Sequence, residues 1–213
     1  MVSSGCFFGR EGVGLQIDFD YWRHYARARL WRFFGREEKA FVEYRKAFRR
    51  QPDDVQSARH LACIAADRKR YEVADKWFIE SLRLVPADAD THYNHGFVLE
   101  QAGRPHAAIA AFAEAVRLQP ALDHAWYGMG LAYAHLGEHA AAADAFARAV
   151  ELQPMHGDAY YLWGMACHQA GQSEQVEEIV ERLLGFDSKL AARLVRDAGR
   201  QDDLGPLIPE LPF

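Results

Sequence analysis

The sequence predicts an all-α chain, a solenoid of stacked helix pairs, and three observations carry that prediction. Prolines recur at Pro52, Pro86, Pro120 and Pro154, each 34 residues after the last. Each interval holds two apolar stripes at helical spacing. Small residues and one large side chain recur in phase within those stripes.

Counting each proline as position 32 gives five units, 21–54, 55–88, 89–122, 123–156 and 157–190. Position 8 reads Ala28, Ala62, Gly96, Gly130, Gly164, and position 20 reads Ala40, Ala74, Ala108, Ala142, Val176. Small residues at both positions let two helices approach closely. Position 24 reads Tyr44, Phe78, Phe112, Phe146, Val180, and position 27 reads Ala47, Ser81, Ala115, Ala149, Leu183. Positions 4, 7, 8 and 11 form the stripe of a first helix, and positions 20, 24, 27 and 28 that of a second. Ala143, at position 21, falls on the face expected to meet solvent. Position 15 is Gly35, Gly103, Gly137 and Gly171, a helix-stop residue, with Lys69 in its place in the second unit. The proline ends the second helix. One such pair cannot bury its apolar face alone, whereas stacked pairs can.

The pattern resembles the tetratricopeptide repeat family over 21–190, most closely in the fourth unit, with Trp126, Met129, Gly130, Tyr133, Gly137, Ala142, Phe146, Ala149 and Pro154. The resemblance implies a right-handed superhelix of about five helix-turn-helix repeats plus a C-terminal capping helix, without catalytic activity. It also implies a concave surface lined by positions 2, 5, 9, 12 and 13 of each unit. Those positions supply a candidate partner-binding set of Tyr25, Arg29, Arg32, Arg59, Tyr93, Phe97, Tyr127, Leu131, His135, Tyr161, Met165 and His168. The surface is expected to be basic at its N-terminal end and aromatic to apolar beyond. Family members that clamp a C-terminal carboxylate need a basic and amide set for which this chain has Arg59, Cys63, Asn94, His124 and Gly128. Only Arg59 and Asn94 fit, so that specialisation is not expected.

Composition bounds the rest. Half of the 213 residues are hydrophobic, enough for a large core, and no apolar run approaches the length of a membrane span. Cys6, Cys63 and Cys167 are far apart and suggest no disulfide framework, which points to a reducing, cytoplasmic setting. Residues 1–50 carry 11 Lys and Arg against 6 Asp and Glu, and residues 51–213 carry 14 against 24. The chain is therefore basic at its start and acidic after it, and the acidic bulk disfavours nucleic acid as a partner.

Along the chain, 1–20 is glycine-rich, lacks helical periodicity and reads as a flexible segment without the charge and apolar pattern of a signal peptide. The first unit carries Arg23, Arg27, Arg29, Arg32 and Arg36 among aromatics, which reads as a polar end cap. His92 and His95 occupy packing positions and read as hydrogen-bonded core residues. In the fifth unit Ser173 is a candidate N-cap, and Asp187 or Ser188 a candidate cap for a final helix over 189–198. The solenoid is thus bounded at 21–200. The tail 201–213 holds Pro206, Pro209 and Pro212 and is expected to be extended, with 204–213 competing for the groove in cis or linking molecules in trans.

No P-loop, dinucleotide fingerprint, nucleophile elbow or HExxH is present, so no enzyme, cofactor or metal is expected. His135 and His139 lie on either side of a turn and need not share a helix. The function expected is a scaffold, adaptor or chaperone that holds a peptide or amphipathic helix in its concave groove. Two alternatives stand beside it: an accessory subunit of an enzyme system such as a transferase, and a bacterial membrane-associated assembly factor, which a lipid on Cys6 would favour.

Overall fold

The computed structural model describes residues 18–208. The flexible segment expected over 1–20 lies almost wholly outside them. Twelve α-helices and one 3₁₀ turn make up the described residues, and no strand occurs among them. The helices are α1 (Phe19–Phe33), α2 (Glu37–Arg50), α3 (Val55–Asp67), α4 (Tyr71–Leu84), α5 (Ala89–Gln101), α6 (Pro105–Leu118), α7 (Asp123–His135), α8 (His139–Leu152), α9 (Gly157–Gln169), α10 (Ser173–Leu184), α11 (Ser188–Asp197) and α12 (Gln201–Leu204). The fold is an α-solenoid of five helix pairs followed by α11 and the short α12. It divides into two compact units, Met1–Ser57 and Ala58–Phe213, with the division inside α3.

The turn inside each pair follows from position 15. Gly35, Gly103, Gly137 and Gly171 have φ of +66°, +71°, +76° and +76°. The next amide reaches back five residues in every case, as in Arg36 N–H to Trp31 O at 2.8 Å and Glu138 N–H to Tyr133 O at 3.0 Å. This is the Schellman closure of a helix end, which needs a left-handed residue. Lys69 adopts φ +56° to make the same turn, closed by Arg70 N–H to Ala65 O at 2.8 Å. A side chain in that region carries a conformational cost that glycine avoids.

Positions 8, 20, 24 and 27 pack as their periodicity predicts. Ala40, Ala74, Ala108, Ala142 and Val176 are all fully buried, as are Tyr44, Phe78, Phe112, Phe146 and Val180. The aromatic of the second helix fills the space left by the small residue of the first. A Cβ on Gly130 would stand 2.7 Å from the Phe146 ring, and one on Gly96 2.8 Å from Phe112. Ala143 corrects the sequence expectation: it is buried with Phe146 and Tyr160, because the following pair covers that face of α8. His95 is a half-buried hydrogen-bonded histidine, Nε2 lying 2.6 Å from Asp75 Oδ1. His92 instead reaches the Pro86 carbonyl at 2.9 Å, as Trp126 donates to the Pro120 carbonyl at 3.0 Å.

The C-terminal end departs from expectation in two ways. Ser173 is the first residue of α10 rather than its cap, and Gln172 before it makes no side-chain capping bond. Residues 201–207 are helical, not extended: Arg200 holds Asp203, Leu204 is buried against α10 and α11, and Pro206 lies in a 3₁₀ turn that tolerates it. Leu204 is therefore part of the core, which removes the start of 204–213 from any docking in the groove. The rest of that segment, 209–213, lies outside the described residues. Asp187 caps α11 by accepting from Leu190 N–H at 3.0 Å, as its sequence position predicts.

Candidate functional site

The candidate residues sit on the first helices of the pairs. In the larger unit α5 touches α7, and α9 touches α11. Tyr93, Tyr127 and Tyr161 recur on the first helices at 34-residue intervals. Each is partly exposed. The Tyr93 ring lies 6.0 Å from Phe112 and meets His124 edge-on at 4.3 Å. Tyr127 repeats this with Phe146 at 5.7 Å and His156 at 5.2 Å. In these two pairs position 5 thus packs against the position 24 aromatic.

These hydroxyls stay protonated over an extended pH range. Burial raises the Tyr93 phenol and the Asp123 carboxylate adds to it, and burial together with Asp158 does the same for Tyr127. Tyr161 is raised by burial and by its hydrogen bond to Asp197, 2.9 Å away, and the Arg193 guanidinium stacks on its ring at 4.5 Å. Its hydroxyl is thereby tied to α11.

Around the tyrosines, Phe97 is 48% exposed, and Leu131 and Met165 are half-buried. His135 and His168 are exposed, and His135 pairs with Glu100 at 2.7 Å. Arg59 is bonded to Asp88, which also caps α5 at Thr91, so its charge is balanced in place. In the smaller unit Tyr25 packs on Tyr44 at 5.6 Å, while Arg29 and Arg32 are exposed.

Sequence reasoning missed the buried acids. Asp75 is held by His95 and by Arg104 at 2.7 Å. Burial pushes its carboxyl up, and these two hydrogen bonds more than reverse that, leaving it below the usual aspartate range. Glu43 is likewise buried, bonded to His24 at 2.6 Å and Lys46 at 2.8 Å. His95 and His24, at positions 7 and 4, were the available signal, since a polar ring in an apolar stripe needs a buried partner. No group of three metal-ligating side chains occurs among the described residues. His92 and His95 point to different partners, and His135 and His139 lie on different helices. Cys63 and Cys167 are not in disulfides, and burial, with Asp144 nearby, pushes the Cys167 thiol up to about 11. None of the described helices is long and apolar enough to cross a membrane.

The family model named tetratricopeptide repeat matches residues 93–154. No curated protein matches the chain in sequence. Solved structures match its fold. The MamA protein is 20% identical with a TM-score of 0.73, covering 91% of this chain and 97% of that one. YrrB, described as a TPR protein with an unusual peptide-binding site, is 23% identical with a TM-score of 0.71, covering 81% and 90%. PilF of Pseudomonas aeruginosa is 17% identical with a TM-score of 0.65, covering 90% and 93%.

Proposed function

We propose that this chain, which has the fold of tetratricopeptide repeat structures and matches that family's model over residues 93–154, is a non-catalytic interaction scaffold whose larger unit holds a segment of a partner protein. The partner segment is an extended peptide or an amphipathic helix, laid across α5, α7 and α9. One observation carries this reading: Tyr93 and Tyr127 are packed against Phe112 and Phe146 and stay partly exposed. Braced rings give contact area at low entropic cost, and a phenol held protonated donates to a peptide carbonyl. Phe97, Leu131 and Met165 add apolar surface between them. The unusual peptide-binding site of YrrB is a property of that protein and lends support by shared fold only. A cytoplasmic location goes with this reading, supported by Cys63 and Cys167 being reduced cysteines outside any disulfide.

Two triple variants test it. Tyr93, Tyr127 and Tyr161 are changed together to Phe, which keeps the ring packing and removes the hydroxyls, or together to Ala. Pull-down followed by mass spectrometry should show partners weakened by the Phe variant and lost with the Ala variant, with helicity unchanged in the Phe variant by circular dichroism. Wild-type capture by both variants would reduce the ladder to repeat packing.

A further inference from the structure

We propose that the partner segment held across α5, α7 and α9 carries arginine, and that Asp123 and Asp158 seat its guanidinium groups beside Tyr93 and Tyr127. This rests on the scaffold reading above and names the chemistry of its partner.

Charge separates the two kinds of helix in the larger unit. α5, α7 and α9 hold four carboxylates, Asp90, Glu100, Asp123 and Asp158, and no lysine or arginine. The second helices carry arginines and pair them internally, as Arg83 does with Glu80, Arg117 with Glu114 and Arg182 with Glu178. The first helices that carry the tyrosines have no such internal partner apart from histidine.

Around position 5 the chain shows twice what such a carboxylate takes. Arg59, at position 5 of the second pair, is bonded to Asp88, the cap of α5. In the fifth pair Asp197 accepts from the Tyr161 hydroxyl at 2.9 Å. Arg193 stacks on that ring at 4.5 Å, with its Nε 3.4 Å from the same carboxylate. Each of these two places holds a guanidinium against a carboxylate. Between them the carboxylate recurs without the guanidinium. Beyond the effect of burial, Asp123 raises the Tyr93 phenol and Asp158 the Tyr127 phenol, which puts one carboxylate beside each ring. Asp123 is met by His124 at 3.3 Å, and Asp158 is exposed. Among the described residues neither is paired with a lysine or arginine.

Arginine suits these places better than lysine. A planar guanidinium bonds a carboxylate through two N–H groups and also lies against an aromatic ring. Two such places on successive pairs call for one chain that bears both cations. Phe97, Leu131 and Met165 offer its apolar side chains a surface. The same carboxylates repel a phosphate backbone.

The probe is a capped peptide of repeated Arg-Leu-Gly, titrated into the full chain and followed by NMR, with lysine and citrulline versions beside it. The arginine peptide should shift the Tyr93 and Tyr127 ring signals. Asp123→Asn combined with Asp158→Asn should weaken it by about tenfold or more, and Glu177→Gln, which removes a charge from the exposed side of α10, should not. Citrulline keeps the shape of arginine without its charge and should bind about tenfold or more weakly, with lysine in between. A citrulline peptide that binds equally, with the same ring shifts, would keep the scaffold reading and end this one. No shift of either ring by the arginine peptide at about 1 mM would also end it, with the scaffold reading then judged by the pull-down alone. Lysine binding as tightly as arginine, or an equal loss with Glu177→Gln, would reduce the effect to general acidity. Self-association of the chain that disappears in the double aspartate variant would give the two carboxylates to the basic first pair of a second copy.

Discussion

The first and fourth helix pairs share one template and meet different surroundings. Inside the pair they match: Ala28, Ala40, Tyr44 and Ala47 are buried in one as Gly130, Ala142, Phe146 and Ala149 are in the other. Outside the pair they diverge. Ala132 of α7 is fully buried under α6, and its counterpart Leu30 is 53% exposed. The template therefore has two independent parts. Positions 8, 20, 24 and 27 specify the hairpin, and positions 3, 7, 10 and 23 specify what the hairpin stacks against. In the first pair the second set holds Arg23, Arg27, Leu30 and Glu43 instead, with Arg23 paired to Asp20 and Arg27 to Glu43.

The sharpest way to break this comparison is a charge at position 10. Ala132→Asp buries an unpaired carboxylate and should cost more than about 3 kcal/mol, while Leu30→Asp, on an exposed site, should stay within about 0.5 kcal/mol. Equal losses in urea melts would mean that the two faces are not different in kind. Next in size is overpacking. Gly130→Leu drives a side chain into Phe146 and should destabilise by about 1–3 kcal/mol or more, and Ala143→Leu should fall in the same range because that alanine is buried. A silent Ala143→Leu would return that face to solvent.

Asp75→Asn comes third, at about 1–3 kcal/mol near neutral pH, since it removes the charge that His95 and Arg104 bond. The sign with pH follows from the direction of the shift. The folded carboxyl titrates below its unfolded value, so its stabilisation is present above that value, about 3.9, and is lost as pH falls through the folded one. The gap between wild type and variant should therefore close in acid, and a gap that widens on acidification would contradict the assignment. Smallest is Lys69→Gly, which relieves the left-handed backbone and should stabilise by about 0.5 kcal/mol, the gain in strain being partly offset by the greater freedom of glycine when unfolded. A loss of thermal stability would show that the Lys69 side chain contributes more than its backbone costs.

The fold is legible in the sequence because its determinants are local and repeated. The spacing of Pro52 to Pro154 gives the units, and Gly130 opposite Phe146 gives the closest helix contact without any long-range information. The burial of Ala143 is not legible, because a two-stripe pattern describes a hairpin in isolation, and the neighbour that covers α8 is not visible in one unit. The tail misleads for the opposite reason. Pro206 argues for extension, and the burial of Leu204 on α10 and α11 decides otherwise. Of the candidate site, the tyrosine positions can be read from the repeat, but the ties of Arg59 to Asp88 and of Tyr161 to Asp197 cannot. They join residues 29 and 36 apart in the chain, whose meeting depends on helix packing.

The central claim is that the first helices in the larger unit are the binding surface and that the second helices are not. A photo-crosslinking amino acid at Phe97 on α5, compared with one at the exposed Arg117 on α6, tests it most directly. The account predicts discrete adducts from position 97, suppressed when Tyr93 and Tyr127 are changed to Phe, and none from position 117. Equal adducts from both positions, or adducts from 117 alone, would contradict it.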